Sequence, residues 1–192
     1  MPKNKLLIAL VGKAGSGKDS LARKLTACEG IHNIVSCTTR PMRENEQDGI
    51  DYHFLTNEMF AEKVLNGEML EATYFNGWHY GTLETSLHDG VNVGVFNPAG
   101  WDCLSMFPIK DITLIGYFLD CNDKERLLRQ LQREQNPDVH EIVRRFSADE
   151  RDFEELSDKL IVLQNNTWEE QNNNYQRILQ DIDAAGFQDN NR

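Results

Sequence analysis

A glycine-rich segment near the N-terminus has the residue types and the spacing that bind phosphate. Gly12, Gly17 and Lys18 match the pattern G-x-x-x-x-G-K, directly after the apolar run 6–11 and before residues at helical spacing. In such a loop, backbone N–H groups and the helix N-terminus bind phosphate oxygens, and the lysine reaches the transferred phosphate. The sequence therefore predicts an ATP site formed by Gly12, Lys13, Ala14, Gly15, Ser16, Gly17, Lys18, Asp19 and Ser20.

The residue after the lysine departs from the usual pattern. A Ser or Thr whose hydroxyl binds Mg²⁺ ordinarily follows the lysine, and here Asp19 takes that position. A carboxylate is a hard oxygen ligand that suits Mg²⁺, but an acid in the first helical turn is also favoured by the helix dipole alone. Both interpretations stay open. We expect Mg²⁺ as the cofactor, with Asp19 as its ligand from the protein.

The composition excludes several classes of protein. The chain has 192 residues and a formal net charge of −11, so we expect one domain that repels nucleic acids and anionic membranes. No segment approaches the roughly 20 apolar residues that a membrane span needs. The four cysteines have neither metal-site nor disulfide-framework spacing, which favours reduced thiols in a cytoplasmic protein. An anionic substrate must therefore be bound by a local cluster of donors.

Strand-like runs alternate with helical patterns along the chain. The runs are residues 6–11, 34–37, 91–96, 112–119 and 159–163. This alternation predicts an α/β fold with a mainly parallel central sheet flanked by helices.

Two stretches interrupt that alternation within what we expect to be a single domain, residues 1–192. Residues 36–88 indicate an inserted lobe, because polar loop residues there are followed by a short strand and a helix. Residues 126–146 lie in two charged helices and indicate a second insertion. The predicted core then consists of residues 1–35, 89–125 and 147–192.

The lobe carries two sequence blocks that resemble a known family. Residues 36–43 read S-C-T-T-R-P-M-R and residues 48–54 read D-G-I-D-Y-H-F, similar to the guanylate kinase signature T-T-R-x-x-R followed by D-G-x-D-Y-x-F. Residues 75–82 resemble the same family's F-x-G-x-x-Y-G-T block. With the glycine loop, the resemblance runs over most of the chain. It implies a P-loop kinase in which residues 36–88 bind a nucleoside monophosphate and residues 126–146 form a lid.

The resemblance also implies the contacts of the acceptor nucleotide. It assigns the acceptor phosphate to Arg40, Arg43, Tyr52 and Tyr80, a set of charged forks and neutral hydroxyls that suits a dianion. Without the family, the two arginines would more often be solvated loop charges. It assigns the base to Ser36, Glu71 and Thr82. A carboxylate at Glu71 would accept from guanine N1–H and its amino group and would reject adenine.

One block differs from the family pattern. Val95 and Asn97 stand where the family usually has two carboxylates at a strand end. One hypothesis is that Asp19 replaces the first of them near Mg²⁺. Asn97 keeps both donor and acceptor groups, so we retain it as a substrate-binding residue that could accept a different purine edge.

The second insertion supplies further cations. Arg126, Arg129 and Arg133 recur at helical spacing, and Arg144 and Arg145 follow after a turn. The resemblance implies a lid in which Arg133 and Arg145 close over the triphosphate, whereas a salt-bridged surface helix is plausible for at least two of the five. The expected catalytic residues are Lys18, Arg40, Arg133 and Arg145.

The resemblance implies phosphorylation of GMP or dGMP by ATP through direct in-line transfer. Three alternatives stay open: a nucleoside monophosphate kinase of viral type with broadened specificity, a ribose 1,5-bisphosphate phosphokinase, and a non-catalytic guanylate-kinase-like binding module. The expected partners are small nucleotides, ATP and GMP or dGMP, with no nucleic acid and no membrane. We expect a monomer or a homodimer.

Overall fold

The computed structural model describes residues 5–187 except 45, 76, 107, 108, 134 and 156. In this part of the chain the strands are β1 (Lys5–Val11), β2 (Ile31–Asn33), β3 (Cys37–Thr38), β4 (His53–Phe54), β5 (Met69–Phe75), β6 (Trp78–Leu83), β7 (Gly90–Phe96), β8 (Ile112–Asp120) and β9 (Ile161–Gln164). The helices are α1 (Lys18–Thr26), α2 (Asn57–Leu65), α3 (Pro98–Met106), α4 (Asp123–Gln132), α5 (Val139–Asp152) and α6 (Trp168–Ala184). None of these helices is long and apolar enough to cross a membrane.

Five strands form the central sheet, in the order β2-β7-β1-β8-β9, and all their pairings are parallel. The middle strand β1 is buried on both faces from Leu6 to Val11, which explains its unbroken apolar sequence. The predicted α/β fold with a parallel central sheet flanked by helices is confirmed.

Helices cover both faces of this sheet. On one face Leu6, Ile8 and Leu10 pack with residues of α1 and α6. On the other face Leu7, Ala9 and Val11 pack with residues of α3 and with Leu160. Burying each Leu, Ile or Val side chain contributes roughly 1.5–3 kcal/mol, so the two apolar layers stabilise β1 at the centre.

The carboxyl ends of β1 and β7 lie side by side, because Val11 pairs with Phe96. The glycine loop follows β1, and Asn97 follows β7. Open parallel sheets bind ligands in the crevice beyond such strand ends. The topology therefore brings two separate sequence blocks to one edge of the sheet.

A second sheet lies within the stretch predicted as an inserted lobe. Its strand order is β4-β3-β6-β5, and β5 and β6 form an antiparallel hairpin from Met69–Leu83 to Phe75–Trp78. The register shifts between Met69 and Glu71. Such an irregularity changes the direction of a side chain, and Glu71 lies directly after it.

The strand expected over residues 34–37 is not present as one element. Instead, β2 ends at Asn33 in the central sheet and β3 begins at Cys37 in the second sheet. The backbone of Ile34 still donates to Val93 of β7, at 2.8 Å, before the chain leaves for the second sheet. The segment that connects two sheets can therefore be apolar, and hydrophobicity alone does not distinguish such a connection from a strand.

Candidate active site

The glycine loop is enclosed tightly by distant parts of the chain. Gly15 and Gly17 have φ angles of 79° and 96°, in the left-handed region that favours glycine. A Cβ atom on Gly15 would lie 2.6 Å from the backbone oxygen of Arg126, and one on Gly17 would lie 2.6 Å from the side-chain nitrogen of Asn165. Both glycines are therefore required by backbone conformation and by space.

Lys18 points back along the loop. Its Nζ donates to the backbone oxygens of Gly12 and Lys13, at 2.6 and 2.9 Å. Burial lowers the pKa of Lys18, and the carboxylates of Asp19 and Asp149 act in the opposite direction. An ammonium group has three donors, so one remains for a phosphate oxygen.

Two arginines of α4 bind the loop backbone, and one of them, Arg129, also lines the cavity. Arg126 is 1% exposed, and its Nε donates to the oxygen of Ala14 at 2.9 Å. Arg129 donates from one nitrogen to the oxygens of Asn165 and Asn166, at 2.8 Å each, and its other nitrogen lies 3.3 Å from the oxygen of Ser16. Arg126 also pairs with Asp123 and Asp149, but it is buried, so neither Arg126 nor Arg129 is a solvated surface charge.

The other three arginines of this region line the cavity. They are Arg133, Arg144 and Arg145. Glu141 accepts from Arg144 at 2.6 Å and from Arg145 at 2.8 Å. The hydrogen bond from Arg144, with that from Arg145, lowers the pKa of Glu141 to about 2. Sequence analysis missed Glu141, although its spacing of three and four residues from the arginines is the signal that could have identified it.

The arginines of the second sheet region share one counter-ion. Arg40 pairs with Glu46 at 2.8 Å, and Arg43 lies 3.6 Å from the same carboxylate. The backbone N–H of Arg43 also donates to Glu46. Sequence analysis missed Glu46 too, which lies in the loop between the two parts of the first signature block, residues 36–43 and 48–54. The pair of arginines keeps an excess of one positive charge.

Charges from the two sides of the cavity influence each other. Burial lowers the pKa of Arg43, and the neighbouring cations Arg145 and Arg40 lower it further. Burial raises the pKa of Tyr52 to about 12, and the carboxylate of Asp19 adds to that rise. Asp19 at the start of α1 and Arg145 of α5 line the same cavity as Arg43 and Tyr52, which agrees with these effects.

Glu71 is a buried carboxyl group next to hydroxyls. It is 5% exposed, and burial raises its pKa to about 7 in spite of a hydrogen bond from Thr82. The hydroxyls of Thr82 and Ser36 lie 3.3 Å apart. A buried carboxyl of this kind gains most from a ligand that donates hydrogen bonds to it.

The side chain of Asn97 is used locally. Its Oδ1 accepts from the backbone N–H of Gly100 at 2.7 Å, which caps the first turn of α3, and its Nδ2 donates to Thr73 at 3.2 Å. A Cβ atom on Gly100 would lie 3.3 Å from Glu71, so Asn97 and Glu71 flank the same small space. Val95, two residues earlier on β7, has an aliphatic side chain and offers no ligand atom.

One cavity of about 800 Å³ joins these groups. The predicted site residues that line it are Gly12, Ala14, Gly15, Gly17, Lys18, Asp19, Ser20, Ser36, Arg40, Arg43, Tyr52, Glu71, Tyr80, Asn97, Arg133 and Arg145. Three predicted residues are not part of its wall: Lys13, Ser16 and Thr82. The wall also contains residues that sequence analysis did not single out, including Arg23, Trp78 and Asp149.

Asp19 is the one predicted metal ligand. Asp19 is exposed in the cavity wall beside Lys18, so its carboxylate is accessible to a solvated cation. Among the described residues no group of three or more His, Cys, Asp or Glu side chains could hold a metal ion by itself. Mg²⁺ commonly takes one or two carboxylates and completes its shell with water and substrate phosphates. A single carboxylate at the phosphate loop fits that mode of binding.

Comparisons with known proteins agree on one family. The family model described as guanylate kinase matches residues 3–182. The guanylate kinase of Fusobacterium nucleatum subsp. nucleatum is 30% identical over 165 residues, covering 81% of this chain and 86% of that protein. A 45% identical match to the guanylate kinase of Chlorobium luteolum is shorter and spans 40% of the length of each protein.

A solved structure supports the same fold. The crystal structure of guanylate kinase from Anaplasma phagocytophilum matches with a TM-score of 0.67 and 20% sequence identity, covering 99% of this chain and 90% of that one. The resemblance found in the glycine loop and the signature blocks thus extends to the family model and to the fold. The chain belongs to the guanylate kinase family, and the prediction of a guanylate kinase-type phosphotransferase is confirmed.

Proposed function

We propose that the chain transfers the γ-phosphoryl group of ATP directly to the phosphate of GMP or dGMP. The observation that supports this best is the common cavity, whose wall contains both the glycine loop with Lys18 and the cluster of Arg40, Arg43 and Tyr80. An in-line transfer needs two phosphates to meet between such groups of donors. Family membership supports the same reaction in general terms.

The donor side of the proposal is the glycine loop. ATP binds through the loop residues 12–20, with Lys18 directed to the transferred phosphoryl group. Asp19 would hold Mg²⁺ together with the ATP phosphates, and the metal would neutralise negative charge there. Lys18 is partly buried, and partial burial weakens the solvent screening of its electrostatic interaction with phosphate.

The acceptor side is the second sheet with its loop. Arg40, Arg43, Tyr52 and Tyr80 bind the acceptor phosphate, since they combine charged forks with neutral hydroxyls. Glu71, with Ser36, Thr82 and Asn97, binds the guanine base. Among the described residues, Thr82 is the donor that hydrogen-bonds the buried carboxyl of Glu71, so the guanine N1–H and amino group would supply the further donors that it can accept from. A sugar bisphosphate offers no such donor pair, which argues against ribose 1,5-bisphosphate.

The lid completes the proposal. We infer that residues 36–88 and 126–146 act as the two units that close on the core, and that Arg133 and Arg145 stabilise the charge of the transferred phosphoryl group. The acceptor is already an anionic oxygen, so no general base is needed. Positioning and charge stabilisation are sufficient for the rate.

The test is a coupled ADP-release assay with GMP, dGMP, AMP, UMP and ribose 1,5-bisphosphate as acceptors. We expect turnover with GMP and dGMP and at least a hundredfold lower kcat/KM with AMP. Equal turnover with AMP would instead indicate a nucleotide kinase of broadened specificity. Turnover with no acceptor, together with retained GMP binding, would reject the enzyme and favour a binding module.

A further inference from the structure

A buried ion pair joins the two helices that follow β8. Arg126 of α4 is 1% exposed and Asp149 of α5 is 6% exposed, and their side chains are hydrogen-bonded to each other. Arg126 also bonds Asp123 at 2.6 Å, and its guanidinium carbon lies 4.4 Å from the ring centre of Phe146. A buried ion pair adds little net stability compared with apolar residues of similar size. Stability alone therefore does not explain why this ion pair is buried here.

Both members of the pair bind the same loop residue. The backbone N–H of Ala14 donates to Asp149 at 2.8 Å, and the backbone oxygen of Ala14 accepts from Arg126 at 2.9 Å. The backbone of Arg126 also packs against Gly15, so closely that a Cβ atom there would clash. The pair thus binds both the N–H and the carbonyl oxygen of Ala14, in the middle of the glycine loop. Arg126 lies about 110 residues from Ala14 in sequence, and Asp149 lies 135 residues from it.

The same pair lies on the two helices that adjoin or carry the lid cations. Arg133 directly follows α4, and Arg144 and Arg145 precede Asp149 by about one turn of α5. All three arginines line the cavity. A shift of either helix would therefore move the loop and the lid arginines together.

We propose that Arg126 and Asp149 are positioning residues that hold the glycine loop in the conformation that binds ATP phosphates and set the lid arginines relative to it. This inference rests on the proposed kinase function. The competing explanation is a pair that only stabilises the fold. The two explanations differ in what happens when the pair is replaced by apolar residues, because apolar residues can restore stability but cannot bind the backbone of Ala14.

The experiment compares the whole protein with the double variant R126M/D149L and with the single variant Asp149→Asn. Asp123→Asn is the matched control, since Asp123 is the exposed partner of the same arginine, at 68% exposure. For each protein we would measure thermal unfolding, equilibrium binding of ADP and of GMP separately, and the KM for ATP and for GMP. Binding of ADP requires no catalysis, so it tests the positioning role even if GMP is not the true acceptor.

The double variant should unfold within a few degrees of the wild type and bind ADP at least tenfold more weakly, with GMP binding unchanged. Asp149→Asn keeps the volume and an acceptor for the Ala14 N–H. It should weaken ADP binding less than the double variant, again without affecting GMP. The control should match the wild type in every measurement.

Two results would overturn the inference. A stable double variant that binds ADP as well as the wild type would show that the pair serves stability alone. If the double variant does not fold, equal losses of ADP and GMP binding in Asp149→Asn would reject a role specific to the loop. Failure of the wild type to phosphorylate GMP, with the ADP effects intact, would refute the proposed function and leave the positioning role supported.

Discussion

The two halves of the cavity are held in opposite ways. On the donor side, the backbone of the glycine loop is bonded by side chains that lie more than 100 residues away, among them Asp149, Arg126 and Asn165. On the proposed acceptor side, Arg40 and Arg43 share Glu46, which lies only six and three residues further along the chain, respectively. The glycine loop is therefore fixed by tertiary structure, whereas the two arginines are held by ion pairs to one local carboxylate.

This difference indicates which side moves on binding. The lobe helix α2 buries only Phe60, whereas α1 behind the glycine loop buries Leu21, Ala22 and Leu25. Segments with few buried apolar contacts open at low free-energy cost. In addition, the cations Arg43 and Arg145 repel each other across the cavity until an anion lies between them. We expect a preformed donor site and an acceptor site that closes around its phosphate.

The strongest way to test the donor half is to remove its lysine. Lys18→Ala should lower kcat by about 1,000-fold, because a preorganised charge on the transferred phosphoryl group is lost. GMP binding should change less than threefold, since Lys18 belongs to the donor side. Steady-state kinetics and a GMP titration measure the two quantities. Lys110→Ala, on the exposed surface, is the control, and an unchanged kcat in Lys18→Ala would contradict the donor assignment.

The second test concerns the metal. Asp19→Ala should lower turnover by about 100-fold at limiting Mg²⁺, because the protein then supplies no carboxylate to the MgATP complex. Added Mg²⁺ should restore part of the loss. The exposed carboxylate of Asp89, outside the cavity wall, gives the matched control Asp89→Ala. Near-normal turnover at limiting Mg²⁺ would mean that Asp19 serves only the helix dipole, which is the alternative that the sequence left open.

The contrast also explains how much the sequence could reveal. The acceptor cluster was predicted because its members lie in two compact blocks whose residue types and spacing are specific, and Arg40, Arg43, Tyr52 and Tyr80 do line one cavity. The parallel sheet was predicted because strand-like runs alternate with helical patterns, and buried strands are recognisable by composition.

The supports of the donor loop could not be predicted in the same way. Arg126 and Arg129 look like members of a cationic helix face, and nothing in local spacing shows that they turn inward to backbone oxygens of the loop. Likewise, Asn97 reads as a free amide, but it caps α3 and bonds Thr73. Hydrogen bonds to backbone atoms leave no residue-type signal in the partner, so only the folded structure reveals them.

A third test weakens the acceptor half. Arg40→Gln should raise the KM for GMP by about 10- to 100-fold, the usual range for losing a charged hydrogen-bonding partner, with little change in the KM for ATP. The matched control is Arg177→Gln, because that arginine is also paired with an acid but lies on the exposed side of α6. Equal increases in both KM values would show that the two halves are not independent.

The smallest expected effect is a pH dependence of the KM for GMP that the KM for ATP does not share. It is also the effect that best distinguishes the two halves of the cavity. Glu71 has a pKa of about 7 in the protein without ligand, raised by burial. Only the ionised carboxylate can accept from both guanine donors, so binding of GMP is complete above pH 7 and is lost as pH falls. The KM for GMP should rise about fivefold between pH 7 and pH 6, because the ionised fraction falls from about one half to about one tenth, whereas the KM for ATP should stay constant.

The same carboxyl group should affect folding in the opposite direction. Because its pKa in the folded state lies above the unfolded value of 4.5, the folded protein holds this proton more tightly, and the free energy of unfolding falls as pH rises from about 4.5 to 7. Glu71→Gln should therefore lose guanine selectivity and the pH dependence of KM, yet unfold at a higher temperature than the wild type at pH 8. A variant that loses GMP binding and stability together at pH 8 would instead place Glu71 among the structural supports of the lobe. In that case the two sides of the cavity would not differ, because on the donor side the bonds of Arg126 and Asp149 to Ala14 are proposed to serve both structure and function.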